Sequence, residues 1–217
     1  PAAGLLPGVN GLQIGLVVAL EGDPDGEDRI QVKLPIVDPA ADGIWARLAS
    51  LDAGENRGFV FRPEIGDEVI VGFVNDDPRD AVVLGMLHSS AKPAPIPAAD
   101  DNHEKGLVTR SEMRLHFDDD KKICTIDTPA GKKVILDEDG GTITIQDENN
   151  NKIVLDSAGI TIESGKDLIL KATGDVKVEG VNVEQQAQAQ FKVSGSAGLE
   201  LTSSAIAKLE GSLVQIN

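Results

Sequence analysis

The chain has 217 residues, a formal net charge of −16 and only 3% aromatic residues. That length allows one or two domains, and the negative charge weighs against nucleic acid and anionic lipid as partners. No stretch reads as a signal peptide or as a run of 18 apolar residues, and the single cysteine, Cys124, excludes an intrachain disulfide. A sequence that opens on Pro1 rather than Met is expected of a processed product or an excised fragment.

Residues 1–10 read as a lead-in, and the first predicted domain runs over 11–88. Leu12 to Leu20 is a predicted strand, followed by an acidic turn from Glu21 to Asp28 with Gly and Pro placed for a hairpin. Arg29 to Leu34 is the return strand, with Ile30, Val32 and Leu34 alternating. Ile44 to Leu48, Gly58 to Phe61, Glu68 to Phe73 and Ala81 to Leu87 complete the set, with turns at Pro63 to Asp67 and Asn75 to Asp80. Phe59, Phe61 and Phe73 fall at strand-core spacing. Antiparallel strands packed this closely predict a small closed barrel of the OB type.

Residues 89–106 read as a linker. Pro93, Pro95 and Pro97 recur at every second position, which favours an extended polyproline II strut with no room for another domain.

Residues 107–217 read as an array of short strands. Thr142 to Ile145, Gly159 to Glu163, Asp167 to Lys171, Gly174 to Val178 and Gly180 to Val183 alternate apolar and polar positions. About a dozen such strands suggest a β-helix. Gly159, Gly165, Gly174 and Gly180, with Gly195, Gly198 and Gly211 beyond, are expected corners that use positive φ. Glu184 to Gln190 alternates with Ala and could also form a short helix. The apolar bulk per strand is small, and an open array leaves free edges. Several copies winding around one axis remove both problems, so the array is expected to be an obligate homotrimer in a triangular three-chain β-helix. A single-chain β-helix is the alternative.

No chemistry stands out. Cys124 has no evident base, and His88, His103 and His116 are scattered without metal-binding spacing. Asp118-Asp119-Asp120, Asp137-Glu138-Asp139 and the Asp23–Asp28 run read as acidic hairpin turns rather than Ca²⁺ sites. Arg57, Arg62 and Arg79 are isolated among acids, which argues against a nucleic-acid groove. No catalytic residue, metal ligand or cofactor is expected.

The run Phe59-Val60-Phe61-Arg62-Pro63-Glu64-Ile65-Gly66-Asp67-Glu68-Val69-Ile70-Val71-Gly72-Phe73, then Asp76-Asp77-Pro78-Arg79 and Val83-Leu84-Gly85, carries a resemblance. It resembles the spike proteins of contractile injection machines: the VgrG proteins of type VI secretion, the spikes of phage-tail-like particles and phage baseplate spikes. The family pattern has a second proline where Arg79-Asp80-Ala81-Val82 stands here, a mild departure. Thr109-Arg110-Ser111, Leu115-His116-Phe117-Asp118-Asp119, Thr128-Pro129-Ala130-Gly131 and the closing Gly211 to Asn217 fit as well.

The resemblance implies an all-β architecture: an OB-fold collar followed by an intertwined, trimeric triple-stranded β-helix needle. It implies a non-enzymatic, membrane-puncturing spike assembled in the bacterial cytoplasm at the tip of an inner tube, then secreted or delivered into a target cell, or carried on a phage virion. Its N-terminal side would meet a tube or baseplate hub, and the chain would be the distal fragment of a longer spike. The needle would be about 55–60 Å long at ~4.8 Å per strand. A PAAR-type tip protein would seat on Leu213, Val214, Gln215, Ile216 and Asn217, whose unpaired strand edges suit β-augmentation. The alternative function is a phage tail spike or fibre module that binds or cleaves cell-surface glycan. Absence of Trp and Tyr from the array, which leaves nothing to stack on sugars, disfavours it.

Overall fold

A computed structural model describes residues 7–37 and 39–215. The chain splits into two units, Pro1–Gly165 and Lys166–Asn217, each described by itself.

The first unit begins with a five-stranded closed barrel of β1 (Gln13–Ala19), β2 (Ile30–Lys33), β3 (Ile44–Leu48), β6 (Glu68–Phe73) and β7 (Ala81–Met86). Between β3 and β6 lies a two-residue ladder, β4 (Ala53–Gly54) with β5 (Arg57–Gly58). The barrel order is β1-β2-β3-β7-β6. Its pairs are antiparallel except β3 with β7, where Arg47 faces Val82 and Leu48 faces Val83 in parallel. The expectation of an all-antiparallel set is thus corrected, because a parallel pair closes the cylinder. Register shifts at Val17/Ala19 and Ile70/Val71 add local bend where the strands must curve.

Strand alternation sends Val17, Ile30, Val32, Ala46, Val69, Val71, Ala81 and Val83 inward, and Leu34 caps them. Most are β-branched, which suits a pleated, closely packed surface. Gly15 also faces inward. A Cβ there would collide with Val32 and lie 3.1 Å from Val71 Cγ2 and 3.3 Å from Val69 Cγ2. The barrel interior is therefore full without a side chain at this position.

Gly58 to Phe61 is not the strand expected. Pairing stops at Gly58, and Phe59 and Phe61 stack on each other, centroids 4.6 Å apart, on the barrel surface. Two rings at i and i+2 satisfy each other at the loop, so neither enters the core. Phe73 alone of the three packs against the core.

The Pro63–Asp67 turn is a junction. Gly66 adopts φ 86° and donates its N–H to the Val17 carbonyl at 2.7 Å, while Asp67 Oδ2 accepts the Glu64 N–H at 2.8 Å. Lys92, at the start of the proline strut, donates to the Gly66 carbonyl at 2.8 Å and pairs with Asp67 at 2.9 Å. Arg110, from the sheet that follows, pairs with Glu64 at 2.7 Å. At the strut's far end, Ile96 Cδ1 lies where a Cβ on Gly106 would be 3.3 Å away.

A seven-stranded antiparallel sheet completes the unit: β8 (Glu104–Val108), β9 (Arg114–Asp118), β10 (Ile123–Asp127), β11 (Lys133–Asp137), β12 (Thr142–Gln146), β13 (Lys152–Asp156) and β14 (Gly159–Glu163). Each strand pairs only with its sequence neighbours, as a meander, and β8 starts within the stretch read as linker.

The second unit holds no strand among its described residues, and every described residue from 166 to 215 is exposed. The expected strands at Asp167–Lys171, Gly174–Val178 and Gly180–Val183 thus have no ladder here. A strand needs a neighbouring segment in ladder register, and none is paired with this stretch among the described residues. Of the expected corner glycines only Gly159 takes positive φ, 134°. No helix forms at Glu184–Gln190. Ile216 and Asn217 of the expected tip lie outside the described residues.

Gly15→Ala is expected to destabilise the barrel by about 1–3 kcal/mol through overpacking. A lowered denaturant midpoint with normal secondary structure content checks this; an unchanged midpoint contradicts the filled interior.

Candidate functional site: an assembly surface

The register of the seven-stranded sheet places two apolar rows on one face. The first runs Phe117, Cys124, Leu136, Ile143, Leu155, Ile160, each directly opposite the next. The second runs Leu107, Leu115, Ile126, Val134, Ile145, Ile153, Ile162 in the same way. Cross-strand pairs of β-branched and aliphatic side chains favour this register. Yet none of them reaches full burial, and Ile126, Leu136, Ile145 and Ile160 remain exposed. Cys124 is one more half-buried apolar side chain in the first row.

The opposite face is mixed, with Ile123, Ile135 and Val154 set among charged and hydroxyl side chains. Arg114 pairs with Asp127 at 2.7 Å and Lys152 with Glu163 at 3.2 Å across adjacent strands, with Thr125, Thr144 and Thr161 between. Surface pairs of this kind contribute little stability singly. They make that face the more polar of the two.

The acidic clusters organise turns. Asp118 accepts the Lys121 N–H at 3.0 Å, Asp137 the Gly140 N–H at 2.7 Å, and Asp156 the Ala158 N–H at 2.7 Å. Asp147 accepts the N–H groups of Asn149 and Asn151. Asp23 takes the N–H groups of Asp25, Glu27 and Arg29, together with the Arg29 guanidinium. Among the described residues, no group of three or more His, Cys, Asp or Glu side chains could hold a metal ion. His116 faces Glu104 at 3.8 Å, while His88 follows the last barrel strand and His103 immediately precedes β8.

The second unit is more open still. Val181, Leu201, Ile206 and Leu213 are at least four-fifths exposed. Apolar residues recur there at intervals of eight: Leu168 and Val176, Leu170 and Val178, Phe191 and Leu199, Val193, Leu201 and Leu209. The uneven glycine spacing hides this period, although it was there to be read. Leu213, Val214 and Gln215 of the expected tip are exposed and unstranded.

Comparison with known proteins finds two domains in the chain. Residues 13–88 match the type VI secretion system/phage-baseplate injector OB domain, and residues 123–217 match the phage baseplate V C-terminal trimerisation domain. The fold and these two domains define an injection-machine spike. Because they cover well over half of the sequence, the chain belongs to the phage-baseplate and type VI secretion spike family.

It is 30% identical over 137 residues to the actin cross-linking toxin VgrG1 of Vibrio cholerae, covering 59% of this chain and 12% of that protein. It is 31% identical over 113 residues to the type VI secretion system spike protein VgrG3 of Vibrio cholerae, covering 49% of this chain and 11% of that one. With the spike protein VgrG1b of Pseudomonas aeruginosa the identity is 28% over 113 residues, covering 49% of this chain and 15% of the relative. The chain thus spans less than a fifth of the length of these relatives.

The turn carboxylates make stability acid-sensitive. Hydrogen bonds from Asn151 hold Asp147 at about 2, and Arg79 holds Asp77 at about 2. Lys121 lowers Asp118, and Arg29 lowers Asp23. Each folded value lies below the ordinary Asp value of about 3.9. Their stabilisation is therefore complete above pH ~4 and is lost as pH falls toward ~2. The thermal midpoint should drop across that window, and Asp147→Asn should flatten part of the drop.

Proposed function

We propose that this chain is a structural, trimeric spike module of a contractile injection apparatus. The observation that carries the reading is the apolar face of the seven-stranded sheet, which nothing in its own unit covers. Contiguous exposed apolar surface of this extent marks an interaction site. Three copies around one axis would turn the three apolar faces inward and the three charged faces out. The second unit, which forms no strand ladder among its described residues, would then pair with neighbouring copies. An interwound triple-stranded β-helix meets both needs, and its eight-residue recurrence fits a short strand plus a turn per layer. The domain plan is a lead-in at 1–10, an OB collar at 11–88, a linker at 89–106 and the spike at 107–217.

In this reading the chain is not an enzyme. It is a stiff point that passes through a target membrane under axial force from the machine. The collar side meets the tube or baseplate hub. A PAAR-type tip protein docks on Leu213, Val214, Gln215, Ile216 and Asn217 by strand addition. Assembly takes place in the bacterial cytoplasm, followed by secretion or delivery into the target cell, and the support for that is the likeness to VgrG spikes.

Light scattering on the untagged chain should give the mass of three chains. Leu136→Asp, which puts a charge into the shared face at a cost of about 3–5 kcal/mol per uncompensated group, should abolish the trimer while the barrel stays folded. A monomeric wild-type chain, or a Leu136→Asp trimer as heat-stable as wild type, sinks the reading. Removing residues 213–217 should spare the trimer and abolish binding of a PAAR-type protein; retained binding would move the docking site elsewhere.

A further inference from the structure

The sheet is built from a unit that repeats every 19 residues, which the turns reveal more clearly than the side chains. Glu112, Gly131 and Asn150, 19 apart, all adopt positive φ, at 62°, 97° and 65°. The same loops close with the same bond: Thr109 N–H to the Met113 carbonyl, Thr128 to Lys132 and Asp147 to Asn151, at 2.9, 3.0 and 3.0 Å. At the other end of each hairpin, Lys122 and Gly141 are again left-handed, at 51° and 61°. Asp118, Asp137 and Asp156 stand at the same place, each accepting an N–H from the turn that follows. The bonds between successive hairpins also repeat, Asp119 N–H to the His103 carbonyl and Glu138 N–H to that of Lys122. After Asp156 the period breaks, because the next turn is shorter and β14 follows at once.

Each unit is one complete hairpin. It holds two strands, so removing or adding one unit restores strand direction, and 19 residues return every side chain to its own face. Leu107, Ile126 and Ile145 occupy one position of the apolar rows, and Phe117, Leu136 and Leu155 another.

We propose that the 19-residue hairpin is a length module: each copy adds one self-contained layer to the surface shared between chains, and the number of copies sets the distance between collar and distal segment. The partner of each layer is the same layer in another copy of this chain. The inference rests on the trimeric spike reading. Each unit contributes about 10 Å, two strand spacings.

The test uses deletions whose junction falls inside a strand, where loops cannot absorb an error. Removing residues 116–134, which is 19 residues, joins Leu115 to Ile135 and keeps the alternation. Removing residues 116–133 joins Leu115 to Val134 and sets two same-face residues side by side, flipping one to the wrong side. A third variant duplicates residues 123–141 after Gly141. The full chain is used throughout, with mass, thermal midpoint and particle length by electron microscopy as readouts.

The 19-residue deletion and the duplication should assemble like wild type, with particles about 10 Å shorter and about 10 Å longer. The 18-residue deletion should lose the oligomer. Equal behaviour of the two deletions, assembly of neither unit variant, or unit variants of unchanged length each overturn the module. A wild-type chain that is not trimeric instead overturns the spike reading, so the two failures are told apart.

Discussion

The physical constraint on which the rest depends is that an antiparallel sheet with one apolar face needs a second layer. The barrel meets this need by closing on itself around Val17, Ile30, Val32, Val69, Val71 and Val83. The seven-stranded sheet does not close. About a dozen half-exposed aliphatic side chains on its face represent on the order of 10 kcal/mol of burial per chain, at ~1 kcal/mol each. Association costs about 4–15 kcal/mol in lost freedom. The sheet face alone therefore roughly balances that cost. In the proposed trimer the second unit, exposed along its whole described length, would tip the balance, since every strand formed there would gain backbone hydrogen bonds as well as apolar cover.

Charge works against assembly, and the structure limits the damage locally. Each chain carries −16, so copies repel at long range. The carboxylates nearest the sheet are committed to turns or to cations on the outer face: Asp118 with Lys121, Asp127 with Arg114, Asp139 with Lys122, Glu148 with Lys132. None of these lies in the two apolar rows. Repulsion between copies then acts through water, where salt screens it, while contact would be made by neutral side chains.

Much of the barrel was legible because its signals are local. Ile44–Leu48 and Glu68–Phe73 match the strands read from alternation, and the turns at Asp23 and Gly66 are held by the residues that announced them. Phe59 and Phe61 misled because spacing reports which side a residue faces, not whether that side has a core. The 19-residue period was harder to see. Glu112, Gly131 and Asn150 share a backbone conformation but no side-chain chemistry, so a search by glycine passes over two of the three. In the second unit the alternation was legible, but a strand is a property of two chain segments. A sequence can declare readiness to pair without naming the partner.

The Pro63–Asp67 turn links these separate solutions mechanically. It is bonded at once to the barrel through Val17, to the strut through Lys92 and to the sheet through Arg110. A single ion pair of this exposure would contribute about 1 kcal/mol or less. Here three attachments converge on a five-residue turn whose own shape is set by Gly66 and by the Asp67–Glu64 bond, so the contacts share one geometry. At the strut's other end Ile96 lies beside Gly106, where there is no room for a larger side chain. Load placed on the barrel would reach the first strands of the sheet through these bonded attachments, as the spike proposed above would require.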